Sequence, residues 1–199
     1  MKVIGITGTT GSGKTTALQI LKAHGGLVLD CDAIYHRLLK TDEHLLQLIE
    51  NSFPGVVADG KLDRKKLGQR VFGDPIALMT LNGITHGRVH EKVIDRLMHT
   101  RKPFAAIDAI GLFESGISSL CDCTVAITAS EEVRIKRLLK RERITEEYAK
   151  QRIMAQKDTD FFVSMCDHVI ENNGTVEEFE SACDRLFSEI LGEAYSTRR

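Results

Sequence analysis

No stretch of this sequence approaches the roughly 18 consecutive apolar residues that a membrane-spanning helix requires. No basic-then-apolar leader stands before the first strand-like segment, so a secretory signal is not expected. Charge of one sign is also lacking: the net charge is −1 over 199 residues, which gives no general attraction to nucleic acid or to a membrane surface. Low-complexity tracts and internal repeats are absent. The 5 cysteines (Cys31, Cys121, Cys123, Cys166, Cys183) lack the paired spacing of a zinc site. Cys121 and Cys123 are the nearest pair and read as buried thiols in a reducing compartment. These absences lead us to expect a cytoplasmic globular protein with neither nucleic acid nor membrane as partner. With 42% hydrophobic and 28% charged residues, the chain has enough apolar material for one α/β domain with insertions.

What is present begins almost at once. Gly8-Thr9-Thr10-Gly11-Ser12-Gly13-Lys14-Thr15 fits G-x-x-x-x-G-K-[ST] at every fixed position. Glycines there let the backbone curl so that N–H groups face phosphate oxygens, Lys14 reaches the β- and γ-phosphates, and the Thr15 hydroxyl can ligate Mg²⁺. The flanks agree. Lys2-Val3-Ile4-Gly5-Ile6 reads as a buried strand, and Ala17, Leu18, Ile20 and Leu21 form an apolar helix face that Gly25-Gly26 ends. Strand, loop and helix in that order make an anion site at a helix N-terminus. The sequence therefore predicts a nucleoside triphosphate site.

Leu27-Val28-Leu29-Asp30 reads as a second strand. If the extended conformation continues, Asp30 and Asp32 share a side near the carboxyl ends of the strands, where ligands bind in open α/β sheets. Asp32 also reads as an N-cap for a helix at Ala33. To about residue 103 the pattern is helical. Leu45, Leu46, Leu48 and Ile49 mark one helix, Asp59-Gly60 a turn, and Asp63 the cap of a helix carrying Leu67 and Val71. Asp74-Pro75 opens a helix with Leu78 and Leu81, and Val89, Val93 and Leu97 mark a further one. So long a helical run between strands predicts an inserted subdomain. Three more strands follow at Phe104–Asp108, Thr124–Thr128 and His168–Glu171. The charged stretch from Ser130 to Lys157 has a second cap at Thr145. Its cluster of Arg134, Lys136, Arg137, Lys140, Arg141 and Arg143 is either a solvated helix face or an arginine-bearing lid. Thr175-Val176-Glu177-Glu178 is a capping box before a helix bearing Phe179, Leu186 and Ile190. Five strands alternating with helices predict a parallel sheet with right-handed crossovers and helices on both faces.

Two classes of phosphate-loop protein compete. Asp108-Ala109-Ile110-Gly111 fits the D-x-x-G element of a GTPase, but the N-K-x-D guanine element is absent. A small-molecule kinase needs an acceptor pocket, a carboxylate for the attacking hydroxyl and a basic lid. The helical insertion, Asp32 and the arginine cluster supply these.

Further segments, running almost end to end, resemble the dephospho-coenzyme A kinase family: Gly5–Thr16, Leu29-Asp30-Cys31-Asp32 with Ile34 and Arg37, and Asp59–Arg64 with Leu67, Val71 and Phe72. Leu81-Asn82 with Ile84-Thr85-His86, Asp108 with Leu112-Phe113-Glu114, Arg137-Leu138 with Arg141, Gln156, and Asp167–Gly174 continue the likeness. Thr9-Thr10 stand where the family usually has Gly-Ile, Gly87 where it has proline, Ala109-Ile110-Gly111 in place of x-P-L, and Arg134 where it usually has glutamine.

The resemblance implies a five-stranded parallel phosphate-loop kinase core at 1–31 and 104–199, a helical acceptor-binding insertion at 32–103, and a lid at 138–160. It implies ATP-dependent phosphorylation of the ribose 3′-hydroxyl of dephospho-coenzyme A, with a nucleoside or nucleoside monophosphate as the alternative acceptor. ATP and Mg²⁺ are the expected cofactors, and a monomer or small homo-oligomer the expected state. Asp32, Lys14 and Arg141 are the expected catalytic residues. Gly8, Gly11, Ser12, Gly13, Lys14, Thr15, Thr16, Arg137, Arg141, Asn173 and Gly174 are expected to bind nucleotide, the Asn172–Gly174 loop bordering the adenine. Asp32, His86, Asp108, Leu112 and Glu114 are expected at the acceptor, with Thr15 on the metal and Asp32 reaching it through water.

Overall fold

The computed structural model describes residues 1–196, which fall into two compact units: Met1–Leu29 with the chain from Thr100 onward, and Asp30–His99. The first unit is built on a five-stranded sheet in the order β2-β5-β1-β6-β7: β1 (Lys2–Gly8), β2 (Leu27–Asp30), β5 (Phe104–Asp108), β6 (Cys123–Thr128) and β7 (His168–Glu171). β1 runs parallel to β5 and β6, and β6 parallel to β7, so the carboxyl ends of these strands lie on one edge. In register, Ile6 lies opposite Asp108. Buried on both faces, the central strands read as apolar runs rather than as alternation, as parallel strands do.

One sheet face is covered by α1 (Lys14–Ala23) and α9 (Val176–Leu191), with Ile4, Ile6, Leu18, Leu21, Phe104 and Ile127 meeting Phe179, Cys183, Phe187 and Leu191. The stripe that α9 buries is thus Phe179-Cys183-Phe187-Leu191. Leu186 and Ile190, which the sequence pairs with Phe179, flank it and are partly buried. The capping box forms as read, with Thr175 and Glu178 each accepting from the other's backbone N–H. α8 (Thr159–Met165) packs against β1 and β6. Two acidic clips close the sheet at its amino edge. Asp122 accepts from Val3 N at 2.7 Å, and Asp167 accepts from Thr124 N at 2.7 Å and Thr124 Oγ1 at 2.8 Å. The thiols of Cys121 and Cys183 are pushed up to about 12 by burial, which keeps them protonated and inert.

The second unit is helical: α2 (Cys31–Thr41), α3 (Glu43–Ser52), α4 (Arg64–Val71) and α5 (Pro75–Met98), with α5 packed against the other three. Asp42, Asp63 and Asp74 cap α3, α4 and α5 through their carboxylates. Three expectations are corrected. The turn at Asp59-Gly60 joins a two-stranded hairpin, β3 (Val57–Ala58) with β4 (Lys61–Leu62), too short to be read from alternation. The two helices expected after Asp74 are one helix of 24 residues, because Gly83 and Gly87 weaken a helix without ending it. Leu78, expected on its apolar face, is exposed. Among the described residues no helix is long and apolar enough to cross a membrane.

Candidate active site

At the carboxyl edge of the sheet, residues 9–13 join β1 to α1. The glycines are required by what surrounds them. Gly8 has φ 135, and a Cβ there would lie 2.1 Å from the Ile127 carbonyl oxygen on β6; Gly13 has φ 109, and a Cβ would lie 2.2 Å from Asn172 Nδ2. No L side chain combines those angles with that space.

The loop carbonyls are held from outside. Arg134 Nε on α6 (Glu131–Glu142) donates to Thr10 O at 3.0 Å. Arg137 Nη1 donates to Gly11 O at 3.4 Å and Ser12 O at 3.3 Å, and its Nη2 donates to Asn172 Oδ1 at 2.9 Å. Asn172 Nδ2 donates to Ser12 O at 2.8 Å. Among the described residues every peptide bond is trans, so a carbonyl fixed on one side turns the next N–H to the other. The Gly11 and Gly13 amides are thereby turned away from the arginines, while Ser12 N closes a turn on Thr9 O at 3.3 Å. Burial pulls both guanidinium pKa values down from the ordinary arginine range, most plainly for Arg134, which is 4% exposed. Neither loses its proton at neutral pH, since arginine starts from so high a value.

Lys14, at the first position of α1, donates to Gly8 O at 2.9 Å, which keeps its ammonium over the loop. A cleft of about 360 Å³ opens there, lined by Gly11, Gly13, Lys14, Thr15, Thr16, Asp108, Arg137 and Arg141, among others. The structure therefore brings together most of the residues expected at the nucleotide. Backbone amides at a helix N-terminus, one lysine and two arginines make the cleft an anion site. The Thr15 hydroxyl, exposed in the first turn of α1, and the Asp108 carboxylate on the neighbouring strand are hard oxygen donors in the same cleft. That donor set fits Mg²⁺, which takes few protein ligands when phosphates supply the rest.

Other expected residues lie elsewhere. The basic cluster on α6 divides: Arg134 and Arg137 turn inward to the loop, whereas Lys136 pairs with Glu132 at 2.6 Å on the solvent side. Arg141 is exposed and pairs with Glu142, which also pairs with Arg152 on α7 (Glu146–Met154). Arg137 is thus a support of the loop as well as part of the cleft wall, rather than a freely moving lid arginine. Asn173 accepts from Ser130 N at 2.7 Å and lines a different cleft, of about 860 Å³, with Arg134, Gln156, Lys157 and Phe161. Gly174 packs against Glu178, where a Cβ would lie 2.1 Å from Oε2. Leu112 is fully buried and would meet a Cβ at Gly5 at 2.9 Å. In this structure its side chain stands in the interior rather than on the wall of the cleft. Glu114 is exposed.

In the helical unit, α2 begins at Cys31, so the extended conformation does not carry Asp30 and Asp32 to one side. Asp30, not Asp32, is the N-cap, accepting from Ala33 N at 2.8 Å. Asp32 stands in the first turn of α2, exposed, and its side chain makes no hydrogen bond or ion pair among the described residues. His86 is half-buried on α5. Sequence reasoning missed the loop-supporting roles of Arg134 and Asn172. The spacing of Arg134 and Arg137, three apart on one helix, was the available signal.

Comparison with known proteins bears on the whole chain. A family model described as dephospho-CoA kinase matches residues 2–178. A dephospho-CoA kinase of Lactobacillus acidophilus is 37% identical over 196 residues, covering 96% of this chain and 98% of that one. A Thermus thermophilus dephospho-CoA kinase is 32% identical, covering 98% and 95%. Among solved structures, the dephospho-CoA kinase of Campylobacter jejuni superposes with a TM-score of 0.68 at 27% identity, covering 96% of this chain and 98% of that one. A Bacteroides thetaiotaomicron shikimate kinase, at 14% identity and TM-score 0.55 with 95% and 98% covered, shares the fold alone.

Proposed function

This chain belongs to the dephospho-CoA kinase family, and from that premise we propose that it transfers the γ-phosphoryl group of ATP to the ribose 3′-hydroxyl of dephospho-CoA, giving CoA and ADP. The observation that carries the acceptor is the family match over residues 2–178, which takes in the helical unit as well as the phosphate loop. The cleft alone would not choose the acceptor, because the same fold serves a shikimate kinase.

The chemistry assigned to each residue follows from its surroundings. The Gly11 and Gly13 amides and the Lys14 ammonium take the β- and γ-phosphates, and their carbonyl-side supports hold them in place before substrate arrives. Thr15 and Asp108 would hold Mg²⁺, which neutralises charge on the phosphate oxygens. Arg141, exposed on α6, serves charge on the transferring group once the segment 138–160 closes as a lid. Asp32 orients and deprotonates the acceptor hydroxyl; its support is an uncommitted carboxylate two residues past the β2 carboxyl end, where Asp30 is already spent on the cap. Segment 32–103, including His86, holds the acceptor.

The test is ADP formation by the purified protein with ATP, Mg²⁺ and dephospho-CoA, and with dephospho-CoA left out. ADP release dependent on dephospho-CoA, with CoA as the product by mass, is expected. Lys14→Ala should cut the rate by about a hundredfold or more, the usual scale for a preorganised charge contact. Acceptor-independent ADP release, or a loss below about tenfold in Lys14→Ala, contradicts the proposal.

A further inference from the structure

The Thr10 residue is gripped at both of its backbone groups by side chains remote in sequence. Its carbonyl accepts from Arg134 Nε at 3.0 Å, and its N–H donates to Gln156 Oε1 at 2.8 Å. Gln156 lies two residues past the end of α7, its own N–H bonded to Ile153 O at 3.2 Å. Thr10 is the residue from which the Gly11 amide is aimed. A rotation of either peptide flanking Thr10 would re-aim that amide, and the two contacts together block it.

We propose that Gln156 is a positioning residue for nucleotide binding: a latch that holds the Thr10 N–H and ties the phosphate loop to the end of α7. Arg134 alone fixes only one of the two peptides at this apex. The other is held within the loop by Ser12 N on Thr9 O at 3.3 Å and from outside it by Gln156, which sits on the segment read above as a lid. A lid that swings while its root stays bonded to the loop keeps the loop amides aimed throughout the cycle. A neutral carboxamide suits this place, because it accepts from the amide without setting a negative charge beside bound phosphates.

The inference rests on the reading of this loop as the phosphate site, so its test has one arm that needs no nucleotide. Gln156→Met keeps the length of the side chain and removes the acceptor, while Gln156→Glu keeps an acceptor oxygen. In the nucleotide-free protein, the Thr10 amide proton should exchange with solvent about tenfold faster in Gln156→Met, and at close to the original rate in Gln156→Glu. Titration with ADP should show affinity weakened about tenfold in Gln156→Met, with the KM for dephospho-CoA unchanged. Unchanged Thr10 exchange in Gln156→Met overturns the latch whatever the protein phosphorylates. Faster exchange with unchanged ADP affinity overturns the positioning role, and so does a fall in melting temperature as the sole effect.

Discussion

Asp30 and Asp32 are two residues apart and chemically identical, yet the fold gives them different work. Asp30 is held by the Ala33 amide as a cap, and Asp32 is left exposed with its carboxylate uncommitted. The sequence pointed to Asp32 as the base but also gave it the cap that Asp30 makes, because that assignment depends on where β2 ends and α2 begins, a boundary of one residue. Asp32→Asn keeps shape while removing charge and should lower kcat by about 10²- to 10⁴-fold, with ADP affinity within a few-fold of normal. Steady-state kinetics beside Asp108→Asn decide it: near-normal turnover in Asp32→Asn with collapse in Asp108→Asn would move the base to β5. Arg141 is the other residue whose position predicts its behaviour. It is exposed and, among the described residues, pairs with Glu142, itself partly exposed, so Arg141→Ala should lower kcat strongly with almost no change in melting temperature. Arg134 and Arg137, three and four positions apart from their neighbours on the same helix, were not separable from Arg141 by spacing. Only the crossing of α6 beside the loop turns two of them inward.

At the scale of elements, the helix starts were the most legible features. Asp63, Asp74, Thr145 and Thr175 cap the helices that follow them, as read, because a cap is a local bond between a side chain and the next turn. Helix ends were less so: α5 continues through Gly83 and Gly87, since packing against α2, α3 and α4 outweighs two poor helix formers. A Cβ at either glycine would meet nothing within 4 Å. Gly83→Ala and Gly87→Ala should therefore each stabilise the protein by about 0.5–1 kcal/mol in urea unfolding; destabilisation would mean that α5 bends there. The start of α3 carries a pH dependence. Burial alone would push the Asp42 carboxyl up, but the Leu45 amide and the Arg88 guanidinium, 2.6 Å away, outweigh it and hold the group below the ordinary carboxylate range. A lowered folded value means stabilisation that is present above the unfolded carboxylate pKa and lost as pH falls through the folded one. Asp42→Asn, which preserves the cap, should cost about 1–2 kcal/mol at about pH 7 and progressively less as pH falls below the ordinary carboxylate range, judged from urea midpoints.

For the whole molecule, the number and parallel direction of the five strands followed from the alternation of short apolar runs with helices; the strand order, which alternation does not supply, places the phosphate loop between β5 and β6. What alternation could not supply is the set of contacts that shape the loop. Asn172, Arg134, Arg137 and Gln156 lie more than 100 residues from it, and no local rule pairs residues at that separation. The acceptor is likewise not written in the fold, which a shikimate kinase shares, but in the extended match to the dephospho-CoA kinase family. The most direct measurement is therefore a comparison of acceptors: kcat/KM for ADP release with dephospho-CoA, AMP, adenosine and shikimate under one set of conditions. Dephospho-CoA should exceed every other acceptor by about a hundredfold or more, with the new phosphate on the ribose 3′-oxygen. Equal or faster turnover with any of the other three would contradict the account.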